Sequence, residues 1–316
     1  MDTAKHSSVQ TLAPAVALLL SFLLLAGTHC TGAAATGSLA NLSAPRERSI
    51  LSYGVRTADQ PIAPGTRARG DILNFAHRGA SVDHDEHTFA AYYAAVQQGA
   101  DFLELDVRST ADGTIIILHD ANLERTTGIE QDVTTIDFAE LRRLAPGIPT
   151  LAEVFQAFPR TPINIEIKQE EPPMAATLAD MIREYRREDL VIVSSGSDEV
   201  IASFRKASQG RVATGAALGE ALSLYFAFWF GSESREILPY DVLQIPYGSL
   251  AFVEPADPEF IRYAQARGLH VHFWTVDDPE VMERLIGAGA DGIMTNRPEI
   301  LQNILQTGPQ ANAQTL

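Results

Sequence analysis

The sequence predicts an α/β protein in which eight parallel strands close into a TIM (β/α)8 barrel, with a small hairpin inserted after the second strand. From residue 71 onward, short apolar runs alternate with longer amphipathic stretches, the pattern of strands that pair in parallel through crossover helices. The turn residues Asp112-Gly113 join two of these runs as a hairpin, and counting that hairpin within one unit leaves eight β/α units. Acidic and basic residues interrupt the runs near their ends, where a barrel of this kind carries its chemistry.

Each predicted strand is a short apolar run, and each predicted helix is a longer amphipathic stretch that follows one. In chain order, the predicted strands are Ile72–Ala76, Phe102–Val107, Thr114–Leu118, Ile163–Ile167, Leu190–Val193, Val212–Ala216, Val242–Ile245, His270–Val276 and Gly292–Thr295. The predicted helices are Thr88–Gln98, two short pieces within 137–158, Met174–Arg187, Asp198–Ala207, Pro258–Arg267, Pro279–Gly287 and Pro298–Leu305. A doubly wound open sheet is the alternative, but no glycine-rich phosphate-binding fingerprint follows the first strand.

The composition bounds the classes of partner. A chain of 316 residues suits one large domain with tails, since α/β barrels run to about 250 residues as a single unit. The formal net charge of −16 disfavours nucleic acid, and anionic lipid headgroups would be repelled as well unless a local patch or an apolar anchor holds the chain. Cys30 is the only cysteine, which excludes an intrachain disulfide and a cysteine-based zinc site.

The first 35 residues predict a targeting segment. Leu12 to Gly27 is an apolar run followed by the small residues Ala33-Ala34-Ala35, which is typical of a secretory signal cleaved near Ala35. The run is short for a membrane span, which needs about 20 residues, but an uncleaved N-terminal anchor is the alternative. We therefore expect an exported protein, periplasmic or secreted, or a membrane-anchored one. The predicted boundaries are 1–35 for the leader, 36–70 for a linker, 71–305 for the barrel and 306–316 for a tail.

Three carboxylates predict a metal site. Glu104 and Asp106 lie two residues apart on one strand and share a face, and Glu166 ends the next barrel strand. Carboxylates crowded on an inner face repel one another unless a cation lies among them, and their hard oxygens suit Mg²⁺ or Ca²⁺. The alternative is a network of ion pairs in which Arg78 and Lys168 are the partners.

Two histidines and two cations accompany these carboxylates at the strand ends. His77 and His119 can exchange protons near neutral pH, so two such groups flanking a phosphodiester would serve as base and acid. Arg78 and Lys168 suit a phosphate, since arginine gives a two-pronged contact and lysine a point charge. A buried, hydrogen-bonded structural role is the alternative for each histidine.

Taken together, these motifs resemble the glycerophosphodiester phosphodiesterase family over about residues 71–305. The motifs are His77-Arg78-Gly79, Glu104-Leu105-Asp106, His119-Asp120, Glu166-Ile167-Lys168, Trp274-Thr275-Val276-Asp277 and Asp291-Gly292-Ile293-Met294-Thr295-Asn296-Arg297-Pro298. The resemblance implies a TIM barrel with an inserted hairpin, and a divalent metal held by Glu104, Asp106 and Glu166. It further implies an acid/base pair of His77 and His119, with phosphate bound by Arg78 and Lys168. The family reaction releases glycerol phosphate and an alcohol, with a neighbouring glycerol hydroxyl as one route of attack on phosphorus.

The sequence departs from the family pattern at two places. Where the family usually has Pro-Glu-Asn-Thr, this chain has Asp85-Glu86-His87-Thr88, so Glu86 is expected to support the metal site while His87 replaces an amide. Asn296 stands where an aspartate is common. Neither change removes a proposed ligand, but both bear on rate and substrate range.

Aromatic residues predict the surroundings of the site. Trp274 and His272 share a strand face and are candidates for the pocket mouth, with barrel packing as the alternative. Tyr225–Phe230 is either a buried helix face, or an exposed lid or membrane-contacting loop near the active-site end. With Gln244-Ile245-Pro246, that region is similar to the lysophospholipase D branch of the family, which suggests an acylated lysophospholipid as substrate. A barrel that binds phosphate without turnover remains the non-enzyme alternative.

Overall fold

The computed structural model describes residues 72–232, 237–247 and 256–307, so the predicted leader 1–35 and linker 36–70 lie outside the described residues. The strands are β1 (Leu73–His77), β2 (Phe102–Ser109), β3 (Ile115–Ile117), β4 (Ile163–Ile167), β5 (Val191–Ser194), β6 (Ala213–Thr214), β7 (Val242–Pro246), β8 (His270–Trp274) and β9 (Gly292–Thr295). The helices are α1 (Phe89–Gln97), α2 (Glu124–Thr127), α3 (Phe138–Leu144), α4 (Leu151–Ala157), α5 (Ala175–Glu184), α6 (Asp198–Ala207), α7 (Leu218–Trp229), α8 (Pro258–Gln265), α9 (Pro279–Ala288) and α10 (Pro298–Thr307). None of the helices in this part of the chain is long and apolar enough to cross a membrane.

The sheet is a nearly closed barrel of eight parallel strands, as the alternation of strands and helices predicts. Its neighbours run in the order β6-β5-β4-β2-β1-β9-β8-β7, and a parallel bridge between Gly215 and Val242 links the two ends. The ninth strand, β3, pairs antiparallel with β2 as the inserted hairpin, with Val107 opposite Ile117. The predicted barrel and its insertion are therefore confirmed.

Side chains fill the barrel interior, so the chemistry is confined to its rim. One buried cluster draws on six strands and comprises Leu73, Phe75, Phe102, Ile192, Ala213, Val242 and Met294. Gly292 is required at this depth, because a Cβ there would lie 2.7 Å from the Phe75 ring and 2.9 Å from the His272 ring. His272 is fully buried beside Phe75, so of its two predicted roles the structure shows barrel packing and not the pocket mouth.

The insertion that follows β2 has an apolar cluster of its own. That cluster comprises Ile116, Leu118, Leu123, Val133, Ile136, Leu141 and Ala145. It lies beneath the segment that carries His119 and Arg125, and so gives that segment a fixed support outside the barrel interior.

The aromatic run Tyr225–Phe230 lies in helix α7 and at its end, and its residues have different environments. Tyr225 is buried with its ring 5.1 Å from that of Phe260, whereas Trp229 is 64% and Phe230 80% exposed. A helix turns consecutive residues to different sides, so the predicted buried face and the predicted exposed surface both occur.

Candidate active site

Three carboxylates from two adjacent strands converge at the rim. Asp106 on β2 pairs in register with Glu166 on β4, and Glu104 lies two residues earlier on β2, on the same face as Asp106. One oxygen from each carboxylate lies within 4.8 Å of the other two. Oxygens that share one Ca²⁺ at about 2.4 Å can lie at most about 4.8 Å apart, so the donor set and its span fit a hard divalent cation.

Burial makes it unfavourable for Glu104 and Asp106 to be ionised at the same time. Burial, reinforced by the charges of Asp106 and Glu166, raises the pKa of Glu104 well above the usual carboxyl range. Burial also opposes ionisation of Asp106, but the hydrogen bond from His87 and the nearby positive charges outweigh it and hold the Asp106 pKa below its usual range. A cation among the three carboxylates would remove the cost of ionising Glu104.

Replacing Glu104 by glutamine should therefore stabilise the metal-free protein. The unfolded chain loses the Glu104 proton in the usual range while the folded chain keeps it to higher pH, so this carboxyl costs stability as pH rises. The glutamine amide does not titrate, and its oxygen can still accept the 3.0 Å hydrogen bond that the Arg78 N–H donates to Glu104. We expect a gain of roughly 1–2 kcal/mol near pH 8 and less near pH 5, measured by calorimetric melting in EDTA.

The exposed Glu130 gives the control for this prediction. Glu130→Gln makes the same chemical change on the surface of the insertion, and it should leave the melting temperature nearly unchanged at both pH values. A Glu104→Gln protein that melts at or below the wild-type temperature near pH 8 would contradict the prediction.

Lys168 and Arg78 supply positive charge to the carboxylates. The Lys168 Nζ atom lies 2.9 Å from Glu166 and 3.3 Å from Asp106, and Arg78 Nε lies 3.2 Å from Asp106 Oδ2. The ion pairs weighed as an alternative to a metal site are thus present around the same three carboxylates. A phosphate bound beside a cation would offer both side chains a second anion.

A left-handed turn directly after β1 brings Arg78 to the site. Arg78 has a φ of 58° and Gly79 a φ of 88°. A Cβ at position 79 would lie 2.7 Å from the Cβ of Ala91 on α1, so glycine is required there both for its φ and for this close approach. The positive φ of Arg78 is an uncommon and strained conformation for a long side chain, of the kind that concentrates at functional sites.

His77 is held by an amide that is itself fixed. Its Nδ1 lies 2.7 Å from Asn296 Oδ1, and Asn296 Nδ2 donates at 2.6 Å to Asp277 Oδ2. Because Asn296 presents its oxygen to the ring, Nδ1 carries the hydrogen and Nε2 is the nitrogen left for proton transfer. Burial, with a contribution from Arg78, lowers the pKa of His77 to about 4, which keeps the ring neutral at physiological pH.

His119 follows the hairpin strand β3 and pairs with a carboxylate. Its Nδ1 lies 2.6 Å from Asp120 Oδ1, so Nε2 is the ring nitrogen available for proton transfer. Arg108 on β2 donates from Nε to the His119 carbonyl oxygen at 2.9 Å and so ties this loop to the barrel. The β2–β3 pairing therefore positions a histidine from the insertion next to the strand that carries Glu104 and Asp106.

Glu86 and His87, in the Asp-Glu-His-Thr motif that differs from the family pattern, have separate roles. His87 is buried with a φ of 60°, and its Nε2 donates to Asp106 Oδ2 at 2.9 Å, a contact that the amide expected there could also make. Glu86 binds Arg78 at 3.2 Å and Arg125 at 2.7 Å. Glu86 thus contacts the two arginine side chains and is not part of the three-carboxylate cluster.

An apolar cavity of about 330 Å³ adjoins Glu166. Trp274, 40% exposed at the end of β8, lines it together with Tyr225, Leu222, Pro246 and Phe260. Of the two interpretations of Trp274, pocket mouth and barrel packing, the structure therefore shows the pocket. The cavity leads from the carboxylates toward helix α7, where apolar groups of a ligand could be buried.

The sequence alone indicates no role for Asp277 or Arg125, which the structure connects to the two histidines. Asp277 was visible as the end of the Trp-Thr-Val-Asp motif, and Asp120 as the residue after His119. Arg125, five residues beyond Asp120 in the insertion, carried no sequence signal of its own.

Comparisons with known proteins show which family the chain is similar to. Residues 77–300 match the glycerophosphoryl diester phosphodiesterase family. The chain is 32% identical to a glycerophosphodiester phosphodiesterase of Caldanaerobacter subterraneus, over 75% of this chain and 98% of that protein. It is 29% identical to lysophospholipase D GDPD1 of Rattus norvegicus, over 73% of this chain and 85% of that protein. The solved structure of a glycerophosphodiester phosphodiesterase from Thermotoga maritima superposes with a TM-score of 0.60 at 26% identity, covering 73% and 98% of the two chains.

Proposed function

The chain belongs to the glycerophosphoryl diester phosphodiesterase family and hydrolyses glycerophosphodiesters, and from this premise we propose that it does so with a divalent cation and two histidines. The observation that carries the proposal is the convergence of Glu104, Asp106 and Glu166 within 4.8 Å. These oxygens would hold Mg²⁺ or Ca²⁺. When bound, the cation neutralises the phosphate and acidifies a hydroxyl or water bound to it.

The chain's own residues then divide the remaining tasks. Arg78 and Lys168 hold the phosphoryl oxygens in place. Neutral His77 accepts, at Nε2, the proton of the glycerol hydroxyl that attacks phosphorus. His119 donates a proton from Nε2 to the leaving alcohol as its bond to phosphorus breaks. The attack thus forms a cyclic glycerol phosphate. Water then opens it, with His119 accepting a proton from the water and His77 returning its proton to the glycerol oxygen that leaves phosphorus.

A panel of phosphodiesters tests the proposal. Glycerophosphocholine and glycerophosphoethanolamine are assayed in EDTA, and again after Mg²⁺ or Ca²⁺ is added back. We expect activity to vanish in EDTA and to return with one of the two cations. Full activity in EDTA would overturn the metal dependence, and unchanged turnover in a His119→Ala protein would overturn the histidine assignment. A barrel without turnover would bind glycerol phosphate and release no alcohol from any member of the panel.

The apolar cavity supports a second candidate, a lysophospholipase D acting on acylated lysophospholipids. A cavity of about 330 Å³ that begins at Glu166 is suited to an acyl chain attached to the same glycerol phosphate. Phe226, Trp229 and Phe230 are exposed on the helix that lines this cavity, and they would contact the lipid surface from which such a substrate is drawn. The relative from Rattus norvegicus carries the lysophospholipase D name.

Filling the cavity should separate the two candidate substrates. Ala221 on α7 lines it, so Ala221→Phe is expected to lower kcat/KM for lysophosphatidylcholine about 10-fold or more and to spare glycerophosphocholine. Ser223→Phe, on the exposed side of the same helix, is the control and should affect neither substrate. Wild-type preference for glycerophosphocholine, or equal losses on both substrates in Ala221→Phe, would remove the lysophospholipase D candidate.

We further propose that the protein is exported or anchored through its first 35 residues. The support is the apolar run ending near Gly27 and the small residues at Ala33 to Ala35. Sequencing the mature N-terminus distinguishes the two fates. A start near residue 36 indicates cleavage, whereas an intact Met1 on membrane-bound protein indicates an anchor. Intact Met1 on protein in the cytosolic fraction would contradict both.

A further inference from the structure

A continuous chain of charged contacts links the His119 loop to the Arg78 loop through Arg125. Arg125 Nε pairs with Asp120 Oδ2, and Asp120 Oδ1 lies 2.6 Å from the His119 ring. On its other edge, Arg125 donates from Nη1 and Nη2 to the two oxygens of Glu86, at 3.0 and 2.7 Å. Glu86 in turn lies 3.2 Å from Arg78, whose Nε faces Asp106 at 3.2 Å.

These contacts join two segments that belong to different parts of the fold. His119 and Arg125 belong to the insertion, which has its own apolar cluster, whereas Arg78 and Glu86 belong to the loop between β1 and α1. A guanidinium can bind two carboxylates at once along its two edges, which gives a fixed geometry that one ammonium group cannot reproduce. Arg125 uses both edges in this way.

We propose that Arg125 is a positioning residue, which sets where the proton donor His119 lies relative to the phosphate held by Arg78. The proposal rests on the proposed roles of these two residues. Arg125 itself touches neither the reacting bond nor the three-carboxylate cluster. Its side chain is 48% exposed, so its contribution to folding stability is small and its effect falls on the alignment of the site.

The leaving group provides a readout that a purely structural role would not move. A choline alkoxide needs a proton as it departs, whereas p-nitrophenolate leaves unprotonated at neutral pH. A displaced His119 should therefore slow glycerophosphocholine far more than the p-nitrophenyl ester of glycerol phosphate. For Arg125→Gln we expect about a 10–100-fold loss of kcat/KM, which covers the steps through release of the alcohol, with glycerophosphocholine and less than about 3-fold with the p-nitrophenyl ester. Arg125→Lys should fall between Arg125→Gln and the wild type, because an ammonium can pair with only one of the two carboxylates at full strength.

Arg142 is the matched control within the same insertion. It binds Glu153 with two contacts of 2.7 and 2.9 Å at 34% exposure, so Arg142→Gln removes a comparable ion pair away from the histidines. This variant should leave the ratio of the two rates at the wild-type value. Equal losses on both substrates in Arg125→Gln, or no loss on either, would overturn the positioning role.

A double-mutant cycle with Asp120→Asn tests the route of the effect. If Arg125 acts through Asp120 on His119, the double variant should be no slower on glycerophosphocholine than Asp120→Asn alone. A loss in the double variant equal to the product of the two single losses would overturn this route. His119→Ala on the same two substrates distinguishes a failure of the Arg125 role from a failure of the proposed acid. A leaving-group effect in His119→Ala without one in Arg125→Gln rejects only the Arg125 role. Equal losses on both substrates in His119→Ala reject the proposed acid and the Arg125 role together.

Discussion

Replacing Glu166 by glutamine is expected to lower kcat by about 1,000-fold while the protein remains folded. The substitution removes one charge from the three-carboxylate cluster but keeps the side chain's size. Loss of a cation's stabilisation of the phosphate costs several kcal/mol, and about 4 kcal/mol corresponds to this factor. Glu166 is the most exposed of the three carboxylates and pairs with Lys168, so its loss should not disturb the barrel interior.

Two measurements check this result. Calorimetric titration with Ca²⁺ and Mg²⁺ should show affinity falling about 10-fold or more, and turnover of glycerophosphocholine should fall with it. Glu170→Gln makes the same change on an exposed residue just beyond β4, and it should leave both quantities at wild-type values. A Glu166→Gln protein with wild-type turnover in low cation concentrations would refute the site as a metal centre.

The two histidines should differ in how their removal depends on the leaving group. His77→Ala is expected to lower kcat/KM, which covers the steps through release of the alcohol, by about 10²–10⁴-fold on both glycerophosphocholine and the p-nitrophenyl ester, because activation of the attacking hydroxyl is needed for either. His119→Ala should cost a similar factor on glycerophosphocholine but about 10-fold or less on the p-nitrophenyl ester, whose leaving group needs no proton. Steady-state kinetics on the two substrates measure both ratios.

His84 offers the control for these variants. It is an exposed histidine in the loop between β1 and α1, and His84→Ala should leave both rates unchanged. The reversed pattern, with leaving-group dependence in His77→Ala alone, would exchange the acid and base assignments. Unchanged rates in both variants would remove the histidines from the mechanism.

The barrel and the carboxylate cluster could be predicted because they depend on local periodicity. Residues two apart on a strand share a face, so Glu104 and Asp106 had to point together, and parallel register brings Glu166 beside Asp106. How deep a side chain lies within the barrel could not be predicted from periodicity. His272 and Trp274 share a strand face as predicted, yet His272 lies in the interior and Trp274 at the rim, because the position of the rim depends on the neighbouring strands.

The partners of the histidines could not be predicted for a related reason. Asn296 lies 219 residues beyond His77 in the sequence, and only closure of the barrel between β1 and β9 brings them together. Arg125 comes from a one-turn helix of the insertion, where neither strand nor helix periodicity constrains the direction of a side chain. The departures at His87 and Asn296 show the same limit. The sequence reveals the substitutions, but only the structure shows that His87 bonds to Asp106 and Asn296 to His77.

The separate apolar cluster beneath the insertion has an evolutionary consequence. The loop that carries His119, the proposed proton donor, rests on Ile116, Leu123 and Leu141, whereas the carboxylates rest on the barrel strands. Because the two apolar clusters are distinct, substitutions at Leu123 or Leu141 leave the packing of the barrel strands in place. Evolution can therefore alter the surroundings of the leaving alcohol while the proposed cation site is inherited unchanged.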